Sequence, residues 1–239
     1  MYDAAAGEWA VDVLADLDLP VGIMPPVLTG PQVVGTLAEE LQRRTGLGAA
    51  PLVAGCGHDT GAAFGTCLPA LRESLGAEDL GPLDELAVIS SGTWSILGVF
   101  VDGQLPPGTL DPQRFGYEAN PDSSLRIVSN LTGGWLIERC RETWTADGVD
   151  VSYDALIAAA REATGAERAG AVLDTAWEGF MNPPDMPCAI AEHCRMTGQS
   201  APETPGEFTQ VIFASLAESY ATALAELREK TSRDVRRIY

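Results

Sequence analysis

Two short segments of this sequence hold residues that could carry out chemistry together. His58, Asp59 and Thr60 stand side by side within a glycine-rich stretch. Further along, residues 90–95 read Ser-Ser-Gly-Thr-Trp-Ser and follow a short apolar run. A carboxylate such as that of Asp59 can accept the proton of an alcohol, and a turn of small residues can bring backbone N–H groups close to a phosphate. The pair of segments therefore suggests phosphoryl transfer to an alcohol.

The elements that must position these residues are predicted from the apolar pattern around them. Residues 51–55 predict a strand that runs into the His58-Asp59-Thr60 turn, and residues 61–68 predict a buried helix. Residues 86–89 and 95–101 predict two strands of a hairpin joined at Gly92. A third strand is predicted at 125–128; it leads through Asn130 and a glycine pair into a helix that carries Trp135 and Trp144.

The remaining pattern mixes helices with strands, so the fold class predicted is α/β. Residues 33–46 predict a helix capped by Gly46, with Arg43 and Arg44 in its last turn. Residues 102–124 predict a long loop, residues 153–163 and 207–228 predict helices, and residues 231–239 resemble the lead-in to a strand. Trp94, Trp135 and Trp144 are expected to be core anchors, and Asp185 a loop acid.

Composition limits the class of protein. The 239 residues are 46% hydrophobic, which is enough for one large domain or two small ones, with a composition break at 69–84 as the predicted boundary. The net charge of −19 argues against a nucleic-acid-binding protein. We find no apolar run of about 20 residues and no leader pattern, so neither a membrane partner nor secretion is expected. Five scattered cysteines are typical of reduced thiols in the cytoplasm.

One cluster invites a metal interpretation. Cys188, His193 and Cys194 lie close together in sequence. Because no second ligand pair stands at zinc spacing, an amphipathic helix with buried cysteines is the preferred interpretation, and no metal-ligating residue is predicted.

The ordered motifs resemble those of the FGGY-type carbohydrate kinases, and among them the rhamnulokinase group most closely. Residues 51–60 are similar to that family's strand before its catalytic Asp, and residues 89–98 to its second phosphate motif. Residues 126–136, the Asn-Pro-Pro-Asp-Met-Pro segment at 182–187 and the helix through Ser215 extend the resemblance over nearly the whole chain.

The resemblance implies an actin-like, ribonuclease-H-like ATPase fold of two domains. Residues 1–69 would be the C-terminal remainder of the first, sugar-binding domain, and residues 85–239 the second, nucleotide-side domain without its C-terminal end. The implied activity is phosphorylation of the 1-hydroxyl of L-rhamnulose with ATP and Mg²⁺.

The same resemblance implies a role for each candidate site residue. Asp59 would be the general base, and His58, Asp59 and Thr60 would hold the sugar. Thr93 would contact the ATP phosphates and Asn130 would line the nucleotide site. Glu138 stands on the ATP side where relatives tend to have Gln, which puts the adenine contact there in question.

The sequence also departs from the family pattern at both ends. The glycine-rich hairpin that begins family members and the Gly-Gly-Gly turn near their C-terminus are not found in it, so the chain resembles the middle of a kinase. Two alternatives therefore stay open: a kinase for another ketose such as L-fuculose, and a catalytically inactive, vestigial domain. Exposed sheet edges would also favour self-association.

Overall fold

A computed structural model describes residues 2–3, 6–28, 30–69, 80–146, 148–149, 151–165 and 167–239. The strands are β1 (Tyr2–Asp3), β2 (Glu8–Trp9), β3 (Gln32–Thr36), β4 (Pro51–Ala54), β5 (Leu86–Ser91), β6 (Trp94–Val101), β7 (Gly116–Ala119), β8 (Leu125–Thr132) and β9 (Arg237–Ile238). The helices are α1 (Val11–Asp16), α2 (Glu39–Thr45), α3 (Asp59–Thr66), α4 (Trp135–Ala146), α5 (Tyr153–Ala163), α6 (Met186–Met196) and α7 (Pro205–Thr231).

Five of the strands form one sheet in the order β7-β8-β6-β5-β9. The predicted hairpin is present as β5 and β6, which are neighbours joined by the two residues Gly92 and Thr93. Residues 231–239 were predicted only as the lead-in to a strand, but they already contain the short strand β9, which pairs in parallel with β5, with Leu86 opposite Arg237. β7 pairs antiparallel with β8, and this register sets Glu118 directly opposite Arg126.

Two sequence predictions of local structure are wrong. The predicted helix at 33–46 begins only at Glu39, because β3 occupies Gln32–Thr36 and pairs antiparallel with β4. The β-branched residues Val33, Val34 and Thr36 suit a strand, and the pairing outweighs their place in a helical pattern. The C-terminal half of that prediction is confirmed, since Gly46 caps α2 in the left-handed conformation at φ 73°. The predicted loop at 102–124 contains β7.

The chain divides into two compact units, and each unit is built from segments that are not contiguous in the sequence. The first comprises the described residues up to Val88 together with Gly98–Val128 and Lys230–Tyr239. The second comprises Ile89–Leu97 and Ser129–Glu229. The division predicted from the sequence, 1–69 and 85–239, stays a prediction, and most of its proposed boundary, residues 70–79, lies outside the described residues.

The core of the second unit is a continuous set of buried side chains from α4, α6 and α7. Its members include Leu136, Ile190, Ile212 and Leu216, each nearly or wholly inaccessible to solvent. Trp144 belongs to this core and meets Phe208 edge to face at 5.9 Å, as expected for an anchor. Trp94 is half exposed instead, so its predicted place in the core is wrong. None of the described helices has the length and hydrophobicity to cross a membrane.

Candidate functional site

The first candidate group sits where β4 leads into α3, within the first unit. His58 is the N-cap of α3 in an extended conformation, and Asp59 and Thr60 form the first helical residues. The side chain of Asp59 is 95% exposed, whereas Thr60 is buried. Asp59 Oδ1 accepts a hydrogen bond of 2.7 Å from the backbone N–H of Thr60. The carboxylate is thus fixed on one side and open to an incoming hydroxyl on the other.

His58 lies beside this carboxylate. Its Nε2 is 3.5 Å from Asp59 Oδ1, a distance at which a protonated imidazole would form an ion pair. Its side chain is more than half exposed, and it makes no capping hydrogen bond to the helix. The structure therefore brings two of the three predicted sugar-side residues together at one surface, while Thr60 turns into the interior.

Aromatic packing stabilises α3, the helix that begins with Asp59. Phe64 is fully buried and meets Phe100 of β6 edge to face at 5.8 Å. Gly98 makes room for it, since a Cβ there would lie 2.9 Å from the Phe64 ring. This packing explains why the small, apolar sequence after Asp59 forms a buried helix.

A buried arginine completes the support of α3 and was missed by the sequence analysis. Arg126, on β8, is 2% exposed, and it donates hydrogen bonds to Glu118 Oε2, to the carbonyl of Ala119 at 2.9 Å and to Asn120 Oδ1 at 2.7 Å. A Cβ at Gly61 in α3 would lie 3.4 Å from its Nη2. The signal available in the sequence was a single arginine within the apolar run of β8.

A small hollow of about 180 Å³ lies in the same unit. It is lined by the Gly55-Cys56-Gly57 segment that precedes His58, and by Asn120 and Pro121 among others. Asn120 connects it to the buried cluster, because its Oδ1 accepts from Arg126 and its Nδ2 donates to Ser124 Oγ. His58, Asp59 and Thr60 do not line the hollow.

The second candidate group is the β5–β6 turn, within the second unit. Gly133 N–H and Trp135 N–H donate to the carbonyl of Thr93 at 3.2 and 3.1 Å, and Gly134 N–H donates to that of Gly92 at 2.7 Å. These bonds tie the turn to the start of α4. They require a glycine at 133, where a Cβ would lie 2.4 Å from the oxygen of Gly92. These bonds engage the carbonyls of Gly92 and Thr93 together with three N–H groups at the start of α4.

A cavity of about 540 Å³ opens at this turn. Its lining includes Thr93 and Glu138, which the sequence analysis placed on the ATP side. The apolar part of the lining includes residues of α7, and the polar part includes the turn and the start of α5. The other lining residues are Ser91, Gly92, Gly134, Ile137, Tyr153, Phe213, Leu216, Ala217 and Tyr220. The volume falls in the range typical of small-ligand sites, about 300–1,000 Å³.

Glu138 is engaged with protein partners. Both of its carboxylate oxygens accept from Arg141 Nη1, at 2.9 and 3.1 Å, and Oε1 also accepts from the hydroxyl of Tyr153. Asn130 lies elsewhere: it lines a separate hollow of about 190 Å³ with Trp94, Trp135 and Trp177. The structure thus places Thr93 and Glu138 in one cavity and Asn130 in another, and the nucleotide role of Asn130 stays a prediction.

The described residues do not offer a metal site of their own. Across those ranges, no group of three or more His, Cys, Asp and Glu side chains is arranged to hold a metal ion. Cys188 and His193 lie on α6 as predicted for an amphipathic helix, but Cys188 is exposed whereas His193 and Cys194 are buried.

Solved structures that resemble this chain include sugar kinases. The xylulose kinase from Rhodospirillum rubrum superposes with a TM-score of 0.59 at 14% identity, covering 98% of this chain and 43% of that one. A carbohydrate kinase from Novosphingobium aromaticivorans gives 0.57 at 21% identity, with 95% and 44% covered. At such identities the likeness shows the fold, and it confirms the predicted α/β, actin-like architecture.

Sequence relatives agree with this fold. A rhamnulokinase from Bacteroides thetaiotaomicron is 38% identical over 206 residues, or 86% of this chain and 39% of the relative. A rhamnulokinase from Enterococcus faecalis is 27% identical over 231 residues, or 97% and 43%. The chain thus spans well under half the length of these relatives. Residues 87–239 match the C-terminal domain of the FGGY family of carbohydrate kinases, and the chain belongs to that family.

Proposed function

We propose that this chain serves ATP-dependent phosphorylation of a ketose, with the 1-hydroxyl of L-rhamnulose as the acceptor. The observation that carries the proposal is the open carboxylate of Asp59 at the start of α3, beside the imidazole of His58. The rhamnulokinases among the sequence relatives support the choice of sugar.

In this mechanism Asp59 accepts the proton of the attacking hydroxyl. Its exposure leaves the oxygens free to reach a sugar, and the hydrogen bond from Thr60 N–H orients them. His58 offers a ring nitrogen to a neighbouring sugar hydroxyl. A positioned base of this kind contributes about 10²–10⁴ in rate.

ATP is the proposed phosphoryl donor, and the cavity at the β5–β6 turn is its proposed site. Thr93 would contact the phosphates from a turn that is held rigid by its bonds to the start of α4. Rigid donors matter because phosphoryl transfer depends mainly on positioning and on offsetting charge. Mg²⁺ would enter with the nucleotide phosphates, as is usual for this ion.

The test is the substitution Asp59→Asn, assayed for ADP release with L-rhamnulose in the longest open reading frame that contains this chain. We expect turnover to fall by about 10²–10⁴ while the circular dichroism spectrum stays unchanged. The matched control is Asp12→Asn, which alters another acid in the first turn of an exposed helix. Retained activity in Asp59→Asn, or an inactive parent protein, would refute the proposal. A parent that uses L-fuculose as well as L-rhamnulose would refute the choice of sugar alone.

A further inference from the structure

Tyr153 stands out among the residues that line the larger cavity. It is the first residue of α5, it is 46% exposed, and it lines the cavity that begins at the Gly92–Thr93 turn. No sequence motif singled it out. Arg141 and Glu138 nevertheless hold its ring in place, which is unusual for a tyrosine at the surface.

The ring is held on one face and at its hydroxyl. The guanidinium of Arg141 lies over the ring, 4.2 Å from the centroid, and the hydroxyl donates to Glu138 Oε1. Arg141 is held in turn, since its Nη1 bonds both oxygens of Glu138 and its Nε donates to the carbonyl of Val151 at 2.9 Å. Each of the three side chains therefore contacts the other two.

The geometry leaves the ring available to the cavity. Tyr153 and Glu138 line it, whereas Arg141 does not. The guanidinium occupies one face of the ring, which leaves the other face for a ligand in the cavity. A fixed aromatic ring with one side open is a good surface for another planar ring, because little side-chain entropy remains to be lost on binding.

Charge and polarity decide which part of a nucleotide would lie here. Glu138 lines the cavity, and its carboxylate is already bound to Arg141 and to the hydroxyl of Tyr153. Phe213 and Leu216 add apolar surface nearby, which suits a base. Thr93 lies at the turn, where the phosphates are proposed to bind. The cavity thus offers the Thr93 turn to phosphates, and an aromatic ring with further apolar surface to a base.

We propose that Tyr153, held by Arg141 and Glu138, is the surface on which the purine base of the nucleotide stacks. This inference rests on the proposed function, because it takes the cavity at the β5–β6 turn as the nucleotide site. It adds a base-binding residue that belongs to none of the motifs by which the family resemblance was identified.

The experiment compares the affinity of this chain for Mg-ATP and for Mg-tripolyphosphate, which has no base, by titration calorimetry. Tyr153→Ala is expected to weaken Mg-ATP binding by about 5- to 150-fold, the range that loss of one base–aromatic stack gives. It is expected to leave tripolyphosphate binding unchanged. Tyr153→Phe keeps the ring and should stay within about twofold of the parent. Tyr239→Ala, which removes another half-exposed tyrosine, is the matched control and should change neither affinity.

The outcomes separate this inference from the proposed function. If Tyr153→Ala keeps the parent's preference for Mg-ATP over tripolyphosphate, the stacking role is refuted and the nucleotide site stands. If the parent chain binds neither probe, the nucleotide site fails and the stacking role fails with it. Should Tyr153→Ala not fold, Tyr153→Leu replaces it, since leucine fills much of the same volume but cannot stack as an aromatic ring.

Discussion

The guanidinium of Arg126 lies over the ring of Phe64, 4.9 Å from its centroid. The contact joins β8 to α3, the helix that begins with Asp59. Arg126 is also paired with Glu118, its direct cross-strand partner, and bonded to Asn120. A buried charge is tolerated here because nearby acceptors and an aromatic face replace the water that it lost.

Removing this arginine should weaken the first unit. Arg126→Met keeps much of the volume but leaves Glu118 without its cation and Asn120 without its donor. We expect a loss of about 3 kcal/mol in the free energy of unfolding, near the low end for a broken buried pair because Glu118 is one-third exposed. Urea unfolding monitored by fluorescence measures this loss.

Two control variants separate the effect of the buried ion pair on stability from the effect of the charge itself. Arg43→Met alters an arginine whose ion pair with Glu40 is exposed, and should cost less than about 1 kcal/mol. Arg126→Lys keeps the charge but not the planar group that reaches three acceptors, and should lie between the two. Equal stability of Arg126→Met and Arg43→Met would contradict the role given to the buried cluster.

Gly133→Ala should disturb the turn that carries Thr93. The added Cβ would stand 2.4 Å from the oxygen of Gly92 and 2.7 Å from Ser95 Oγ, so the turn must move. We expect a destabilisation of about 1–3 kcal/mol and weaker Mg-ATP binding. Gly103→Ala, whose Cβ would meet nothing within 4 Å, is the control and should be nearly neutral. Wild-type affinity in Gly133→Ala would show that the turn does not position the phosphates.

Asp185 proves to be more than the loop acid expected from the sequence. Its Oδ1 accepts from the backbone N–H of Cys188 at 2.8 Å, which caps α6, and its hydrogen bond to the thiol raises the pKa of Cys188 above the ordinary value. Asp185→Asn keeps a good cap but removes the charge, so the pKa should fall and iodoacetamide should modify Cys188 faster at pH 8. Peptide mass spectrometry follows the rate.

A second substitution at this position separates the two effects. Asp185→Ala also removes the cap and should cost about 1 kcal/mol of stability, which Asp185→Asn should not. An alkylation rate that is the same in Asp185→Asn as in the parent protein would contradict the effect of the carboxylate on the thiol.

The free energy of unfolding should fall in alkaline solution because the thiol of Cys140 is buried. Burial, with a smaller contribution from Asp185, raises the pKa of this thiol well above its ordinary value of 9.0. Above that pH the unfolded chain releases the proton while the native protein keeps it. The unfolded state is therefore favoured as pH rises, by about 1.4 kcal/mol per pH unit for each such thiol.

The measurement is urea unfolding at pH 7.5 and at pH 10.5. Cys140→Ala should be less stable at both values but should lose less stability between them than the parent protein. Some decline should remain, because burial also raises the pKa of Cys194. An identical decline in the parent protein and in Cys140→Ala would refute the assignment to Cys140.

The paired strands β3 and β4 present an exposed apolar surface that suits self-association. Val33 and Val53 are partners in the register of these strands, and both are more than half exposed. The double substitution Val33→Thr with Val53→Thr keeps the β-branched shape while removing apolar surface. Sedimentation velocity should show concentration-dependent association of the parent chain and less in the variant. A parent chain that stays monomeric throughout would contradict this prediction.

Several elements could be predicted from the sequence because local interactions are enough to specify them. The apolar runs at 86–89 and 95–101, with Gly92 between them, favour a hairpin, and it is present. Gly46 caps α2 because a left-handed residue after a helical segment favours glycine. The α/β class and the long α7 followed from the same kind of pattern.

Tertiary structure decided what depends on distant partners. β3 forms in place of a helix because β4 pairs with it, and no residue near Val33 reveals that pairing. Arg126 is buried because Glu118, Asn120 and Phe64 meet around it, and Glu138 is joined to Arg141 and Tyr153 in the folded chain. Residue types and spacing determined which groups could do chemistry. Long-range packing and hydrogen bonding determined which of them are open to a ligand and which are already bound to the protein.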